Sequence, residues 1–186
     1  MDVEKAIKNR HSTRSFKETK KVDWRDVIKA IDAANYSPEA GNISTLRFIL
    51  VMEPDKISKL TECCQQRFVA KANYVVVVCS DMTQIKRAYK ERANKYARQQ
   101  AGAAIQNFLL EITNLNLGSC WVGAFDENAV KEALLIPEDI EVEALIPVGY
   151  ELGSQKQRRN PKLDDVIYFH KWKNKFMKPK KMPEAR

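Results

Sequence analysis

The run Tyr74-Val75-Val76-Val77-Val78-Cys79 decides how the rest of the chain is read. Its four valines are β-branched, favour extended backbone and are apolar at every position. Such a strand has no face to offer water, so it reads as a central strand covered on both sides. Helices laid over both faces of a sheet provide that cover, and the flanking sequence supplies them.

Upstream, Pro54-Asp55 opens a short helix with Ile57, Leu60 and Cys64 on one side, and Leu46–Met52 reads as a strand. The stretch SPEAGN at 37–42 is turn-rich. Before it, Asp23 can cap a helix whose apolar stripe is Val27, Ile28, Ile31 and Ala34, ended by Tyr36-Ser37-Pro38. Val3, Ala6 and Ile7 predict a first helix ending near Asn9, followed by a polar, cationic loop over 10–21. Downstream, residues 82–117 contain no proline and one glycine, Gly102. As a single helix they would be about 54 Å long, too long for a domain of this size. Their character changes from charged (85–100) to apolar (101–112), which predicts a solvated helix followed by a buried one closed by Gly118. Cys120–Val122 reads as a short strand, and Asp126 as the cap of a helix with Val130, Ala133 and Leu134 inward. Val142–Tyr150 is a strand whose Pro147 limits pairing. A basic loop spans 153–163, Val166–Phe169 reads as a last strand, and 173–186 as an extension. The alternation implies α/β or α+β architecture in one domain.

The 186 residues are 44% hydrophobic and 30% charged, a globular balance with a core large enough to stand without disulfides or metal. The opening MDVEKAIKNR carries no apolar h-region and no stretch reaches membrane-spanning length, so neither secretion nor a membrane span is expected. Cys63, Cys64, Cys79 and Cys120 show no C-x-x-C spacing and there are two histidines, His11 and His170, so reduced thiols in a cytoplasmic protein are expected and zinc is not. Net charge is +8. It is unevenly placed: +5 over 82–100 and +6 over 171–186, against −6 over 101–170. That is unlike a domain that coats nucleic acid, although the basic helix and tail keep nucleic-acid binding as a rival reading.

Gly118–Gly123 has the glycine spacing of a phosphate loop, but Ala124-Phe125 stand where lysine and a hydroxyl residue are required. There is no G-x-G-x-x-G, G-x-S-x-G or S-x-x-K. A chain this poor in catalytic side chains points to chemistry carried by a cofactor. Three segments offer binding groups. Arg10-His11-Ser12-Thr13-Arg14 joins two guanidinium forks to hydroxyls, a phosphate-binding set, and Arg158-Arg159 is a second arginine point; both also fit solvated loops. Asn42 can meet the edge of a heteroaromatic ring or be a plain turn residue. Ser119–Gly123 offers backbone donors, with Gly123 letting a flat ring approach, or is simply a buried strand.

Taken together, RHSTRSF at 10–16, SPEAGN at 37–42, AIQNFLLEITNLNLGSCWVGAFD at 104–126 and LIPVGY at 145–150 resemble the nitroreductase family in its short form, in order over residues 3–170. The resemblance implies an α+β three-layer sandwich with a mostly antiparallel central sheet flanked by helices. It implies an intertwined homodimer with FMN at the interface, a domain over 1–172 and a basic extension over 173–186. Arg10, Ser12, Arg14 and one of Arg158 or Arg159 would hold the phosphate and ribityl chain. His11 would contribute backbone or packing, Asn42 would approach the ring, and Val122 and Gly123 would lie near N5. Helix 101–117 would form the dimer core. The implied activity passes hydride from NADH or NADPH to nitroaromatic, quinone or similar acceptors by ping-pong, with FMN storage without turnover as the alternative. Where the family often has Gln-Pro-Trp after the asparagine, this chain has Ser44-Thr45-Leu46.

Overall fold

The computed structural model describes residues 1–153 and 160–177. The chain divides into two units, 1–155 and 156–186. In the first, the valine run lies in strand β2 (Tyr74–Asp81), second in a four-stranded antiparallel sheet of order β1-β2-β4-β3 with β1 (Leu46–Val51), β4 (Ile140–Gly149) and β3 (Gly118–Ser119). The predicted cover is present on both faces. Val76 and Val78 point, with Ala144, Ile146 and Val148, at helices α2 (Trp24–Asn35) and α5 (Ala93–Asn114). Val75, Val77 and Cys79 point at α3 (Pro54–Cys64) and α6 (Glu127–Leu134) through Ile57, Leu60 and Val130. The result is the expected three-layer α+β sandwich. Helix caps form where their sequence signals stand: Asp23 accepts from the Arg25 N–H and Asp126 from the Ala129 N–H. The first helix, α1, is Val3–Asn9.

A bulge in β4 sets which side chains reach which layer. Ala144 faces Val78 and Val142 faces Cys79, so Glu143 is the extra residue. It lets Val142 and Leu145 share one face despite their odd spacing. It also leaves the Glu143 side chain only 7% exposed, 3.8 Å from Arg98. Burial pushes its carboxyl above the ordinary carboxylate range, against the pull of Ser80 and Arg98. A carboxyl raised in the folded state costs stability as pH climbs from its unfolded pKa through its folded one, and the whole penalty remains above. Glu143→Gln is therefore expected to raise the melting temperature by a few degrees at pH about 8 and by little at pH about 4. A pair of thermal scans checks this, and an equal gain at both pH values would refute it.

Several expectations are corrected. Residues 82–117 do form two helices, but the break lies at a 3-10 turn, Lys90–Arg92, between α4 (Thr83–Tyr89) and α5, where Lys90 takes a positive φ of 47°. The charged stretch 93–100 hides Ala93, Ala97 and Gln100 at helical spacing, which continue into Ala101 and Ala104. Small alanines among long charged residues give a weak stripe, and tertiary packing decides for one helix. Gly118 does not close it; Leu115 caps it and Asn116 takes the left-handed turn, with φ 57°. On α2 the buried stripe is Val27, Ala30 and Ala34, while Ile28 is exposed, because small residues let α2 approach α5 closely.

The strand expected at 120–122 is displaced to Gly118–Ser119, with Val122 bridging Leu145 alone. Register runs on between the two points, so Cys120 faces Pro147, whose missing N–H breaks the ladder there. In the second unit the expected strand 166–169 is absent among the described residues; α7 (Leu163–Val166) ends at the first residue of that stretch and 167–169 form no regular element. Asp164 and Asp165 in its first turn favour helix. Arg158, Arg159 and residues 178–186 of the expected extension lie outside the described residues.

Candidate functional site

Where α1 ends, the Arg10 N–H still donates to the Ala6 carbonyl, and the backbone then turns extended. The segment is next stitched to the sheet edge. Ser12 lies parallel to Ser119 of β3, and the Thr13 N–H donates to the Ser119 carbonyl at 2.9 Å. Thr13 is buried against Gly118, and Phe16 against Gly149. Phe16 pairs with Glu151, and the Lys17 N–H donates to the Tyr150 carbonyl. Tied at both ends, the loop holds Arg10 and Ser12 half-buried and Arg14 exposed along the edge of β3. Burial raises the Cys120 thiol, and Arg14, Ser12 and Arg10 all act on it in the opposite direction.

The same edge carries the second candidate segment. Val122 is buried and its N–H and carbonyl both bond Leu145 at 3.0 Å, so it has no amide to give a ligand. Gly123 is exposed, and its N–H has no partner among the described residues. A Cβ added there would meet only the Trp121 indole nitrogen, at 3.9 Å, so a flat ring can reach this backbone. Trp121 lies over Gly102 of α5 and is 42% exposed. From Ser119 to Gly123 the edge runs for about 13 Å, which suits a ligand with a phosphate at one end and a planar ring at the other.

The His11 ring, for which only backbone or packing is implied, is tied down by its side chain. Nδ1 lies 2.8 Å from the Asn9 carbonyl oxygen and Nε2 lies 2.9 Å from Glu151 Oε1. Burial works against its charge, but the Asn9 carbonyl and the Glu151 carboxylate outweigh it and raise the imidazole above its usual value.

Asn42 is elsewhere. It ends a 3-10 turn, Ala40–Asn42, in which Gly41 (φ 61°) and Asn42 (φ 56°) are both left-handed. Gly41 is required, since a Cβ would collide with the Tyr89 hydroxyl. Ile43 packs with Met82, Ile85 and Ala97, and Thr45 Oγ1 donates to Gln100 Oε1 at 2.8 Å. These contacts fix Asn42 beyond the C-terminal end of β2. Ser12 lies four strand steps away across the sheet, about 19 Å, and level with the opposite end of β2, six residues or about 20 Å along it. Within one chain the described site residues thus fall into two groups at diagonal corners. Lys86, Arg87, Lys90, Arg92 and Lys95 are exposed near the Asn42 corner, whereas Arg98 is engaged by Glu141 at 3.3 Å.

Glu151 also belongs to this edge and escaped the sequence reading, whereas Thr13 and Trp121 were read only as members of their segments and Gly118 as a helix end. Nothing near Glu151 marks it, because its partner is 140 positions away. Described residue 152 follows the edge, its N–H bonding the Ser15 carbonyl, six residues before Arg158.

Known proteins resemble this chain over most of its length. The family model described as the nitroreductase family matches residues 7–66 and 58–150. A protein of Archaeoglobus fulgidus, provisionally named an NADH dehydrogenase/NAD(P)H nitroreductase, is 30% identical over 90% of this chain and 97% of its own. Among solved structures, a nitroreductase family protein of Clostridium novyi NT is 26% identical, covers 95% of this chain and 98% of its own, and superposes with a TM-score of 0.76. One from Streptococcus pneumoniae TIGR4 shares the fold at a TM-score of 0.81 and 24% identity, covering 89% of this chain and 98% of its own. Among the described residues no helix is long and apolar enough to cross a membrane.

Proposed function

The chain belongs to the nitroreductase family, and on that premise we propose that it is a homodimeric, FMN-dependent oxidoreductase of the cytoplasm that passes hydride from NADH or NADPH to conjugated acceptors such as nitroaromatics and quinones. The observation that carries the reading is the split site. No small ligand reaches both corners of one sheet, but a two-fold axis sets the Asn42 corner of one copy beside the Arg10–Gly123 edge of the other, twice over. Exposed apolar side chains on α1 and at both ends of α2 are available for the contact: Val3, Ile7, Trp24 and Tyr36 are each at least half exposed. Helix α5 commits Ile105, Phe108 and Ile112 to its own sheet, leaving Gly102, Ala103 and Leu110 half-covered for a partner.

The residues present fit FMN. Arg10 and Arg14 offer charge-assisted hydrogen bonds to a phosphate and Ser12 a hydroxyl. The Gly123 N–H is placed to donate to the ring, and the absent Cβ leaves the ring's approach clear. Asn42 of a second copy presents an amide to its edge. When bound, FMN supplies the hydride-accepting centre, which is why the chain needs no nucleophile of its own. Reductant and acceptor would take turns at that centre, which would give ping-pong kinetics. An FMN-dependent nitroreductase of Clostridium difficile R20291 shares the fold, at a TM-score of 0.76.

The purified protein is expected to show the visible bands of bound oxidised flavin and to bleach with NADH or NADPH; a colourless protein that also fails to take up FMN overturns the reading. Flavin bands without bleaching by either reductant would favour FMN storage. The shared site has its own test. A heterodimer isolated from chains carrying Arg10→Ala/Arg14→Ala and chains carrying Asn42→Arg has one intact site and one doubly damaged site. It should bind one FMN per dimer at near-native affinity, when neither parent dimer does. A heterodimer no better than its parents would refute the sharing.

A further inference from the structure

The two hydrogen bonds of His11 constrain its protonation without reference to any solution value. The Asn9 carbonyl oxygen, 2.8 Å from Nδ1, can only accept, and so can the Glu151 carboxylate, 2.9 Å from Nε2. A neutral imidazole has one N–H and satisfies one of them; the imidazolium satisfies both. The pair is partly shielded, with His11 and Glu151 side chains 26% and 24% exposed, so water screens it less than a surface ion pair. The charged groups that bear on His11 are Glu151 from the end of β4, which favours the cation, and Arg10 beside it, which opposes it. Asn9 is the last residue of α1, whose C-terminal carbonyls also favour a cation.

The position gives this pair a consequence. Arg10 and Ser12 flank His11 directly, and Glu151 lies opposite Phe16 at the far end of the same loop. A bond from His11 to Glu151 therefore closes the loop on itself and fixes the direction in which its two flanking donors point. We infer that His11 and Glu151 form a proton-operated latch: with His11 protonated the Arg10–Arg14 loop is set for a phosphate-bearing ligand, and loss of the proton slackens it. His11 acts here as a positioning residue. The inference rests on the reading of this loop as the FMN phosphate site.

The sign follows. Affinity for FMN falls as pH rises through the His11 pKa, because one of the two hydrogen bonds that set the loop and a nearby positive charge are lost. The second ionisation of the phosphate, near pH 6, works in the opposite direction and is essentially complete by about pH 7. A fall between pH about 7 and about 9 is thus the property of the protein.

Two measurements test the latch. The chain has two histidines, so imidazole proton NMR resolves His11 from His170 in the wild-type protein, with His170→Gln giving the assignment. His11 should titrate above the ordinary histidine value, and Glu151→Gln should lower it. The FMN dissociation constant, read by flavin fluorescence, should rise roughly tenfold from pH about 7 to about 9 in the wild type. In His11→Gln it should be flat with pH, and in Glu151→Gln the fall should begin at lower pH. FMN binding that is flat with pH in the wild type, or a His11 that titrates at or below the ordinary value, overturns the latch, and both are read even where a variant fails to fold. Protein that binds no FMN at any pH overturns the cofactor reading and the coupling with it.

Discussion

Arg10→Ala is expected to weaken FMN binding by roughly 30- to 100-fold, and Arg14→Ala by roughly tenfold. A hydrogen bond to a charged group contributes about 1.5–3 kcal/mol, and each 1.4 kcal/mol is a factor of ten. Arg10 is half-buried and Arg14 is exposed, so water screens the second more. If both act on one phosphate, as proposed, the double variant should lose less than the product of the single losses. Riboflavin, which lacks the phosphate, is the control: its affinity should be weak and nearly the same in the wild type and the three variants. Fluorescence titration with both ligands decides the matter, and unchanged FMN affinity in the two single variants would refute the phosphate assignment.

Gly118→Ala is expected to lower the melting temperature by roughly 5–10 °C and to weaken FMN binding at the same time. The added Cβ would lie 2.7 Å from Thr13 Oγ1, 2.8 Å from Thr13 Cγ2 and 3.0 Å from Thr13 Cβ. Rotating the threonine only exchanges one clash for another, and its backbone is held by the bond to Ser119. β3 and the loop must therefore part, at a cost of about 1–3 kcal/mol, and for a chain of this length each kcal/mol is about 2–4 °C. The displaced loop carries Arg10 and Ser12, so affinity falls with stability. Gly123→Ala separates the two effects. Nothing lies within 3.9 Å of its added Cβ, so the fold should hold while the methyl group obstructs the flavin ring. Calorimetry and FMN titration on both variants give the comparison. A Gly118→Ala protein as stable as the wild type would show that loop and strand are not in the contact described.

Much of this was legible in the chain itself. The valine run 74–79 has no polar alternate, so a central strand with a helical layer on each face follows from its composition. Asp23 and Asp126 are local capping signals, read correctly because a cap depends on residues two or three positions away. The proline effect at 147 was also local, because a missing N–H removes a ladder bond in any context. Reading failed where the deciding contact was remote. The buried side of residues 93–100 consists of alanines whose burial depends on the sheet beneath them, so the charged neighbours misled. The stripe on α2 rotated toward Ala30 because α5 approaches there.

The functional site divides in the same way. Its donors are sequence properties: Arg10, Ser12 and Arg14 sit within five residues, and Gly123 carries no Cβ wherever it is placed. Their convergence is not, since Ser12 and Ser119 are 107 positions apart and meet only because β3 is the sheet edge beside the loop. The strand order likewise sends Asn42 to the diagonal corner, away from the Arg10–Gly123 edge of the same chain. His11 shows the limit most plainly. Its pKa is raised partly by the Asn9 carbonyl, two positions away, and partly by Glu151, 140 positions away and brought within hydrogen-bonding distance just past the end of β4. Sequence by itself determined the central strand, its helical layers and the types of donor, because those depend on composition and spacing. Tertiary structure alone decided which donors meet, because hydrogen bonds and Coulomb forces act between residues that only the fold makes neighbours.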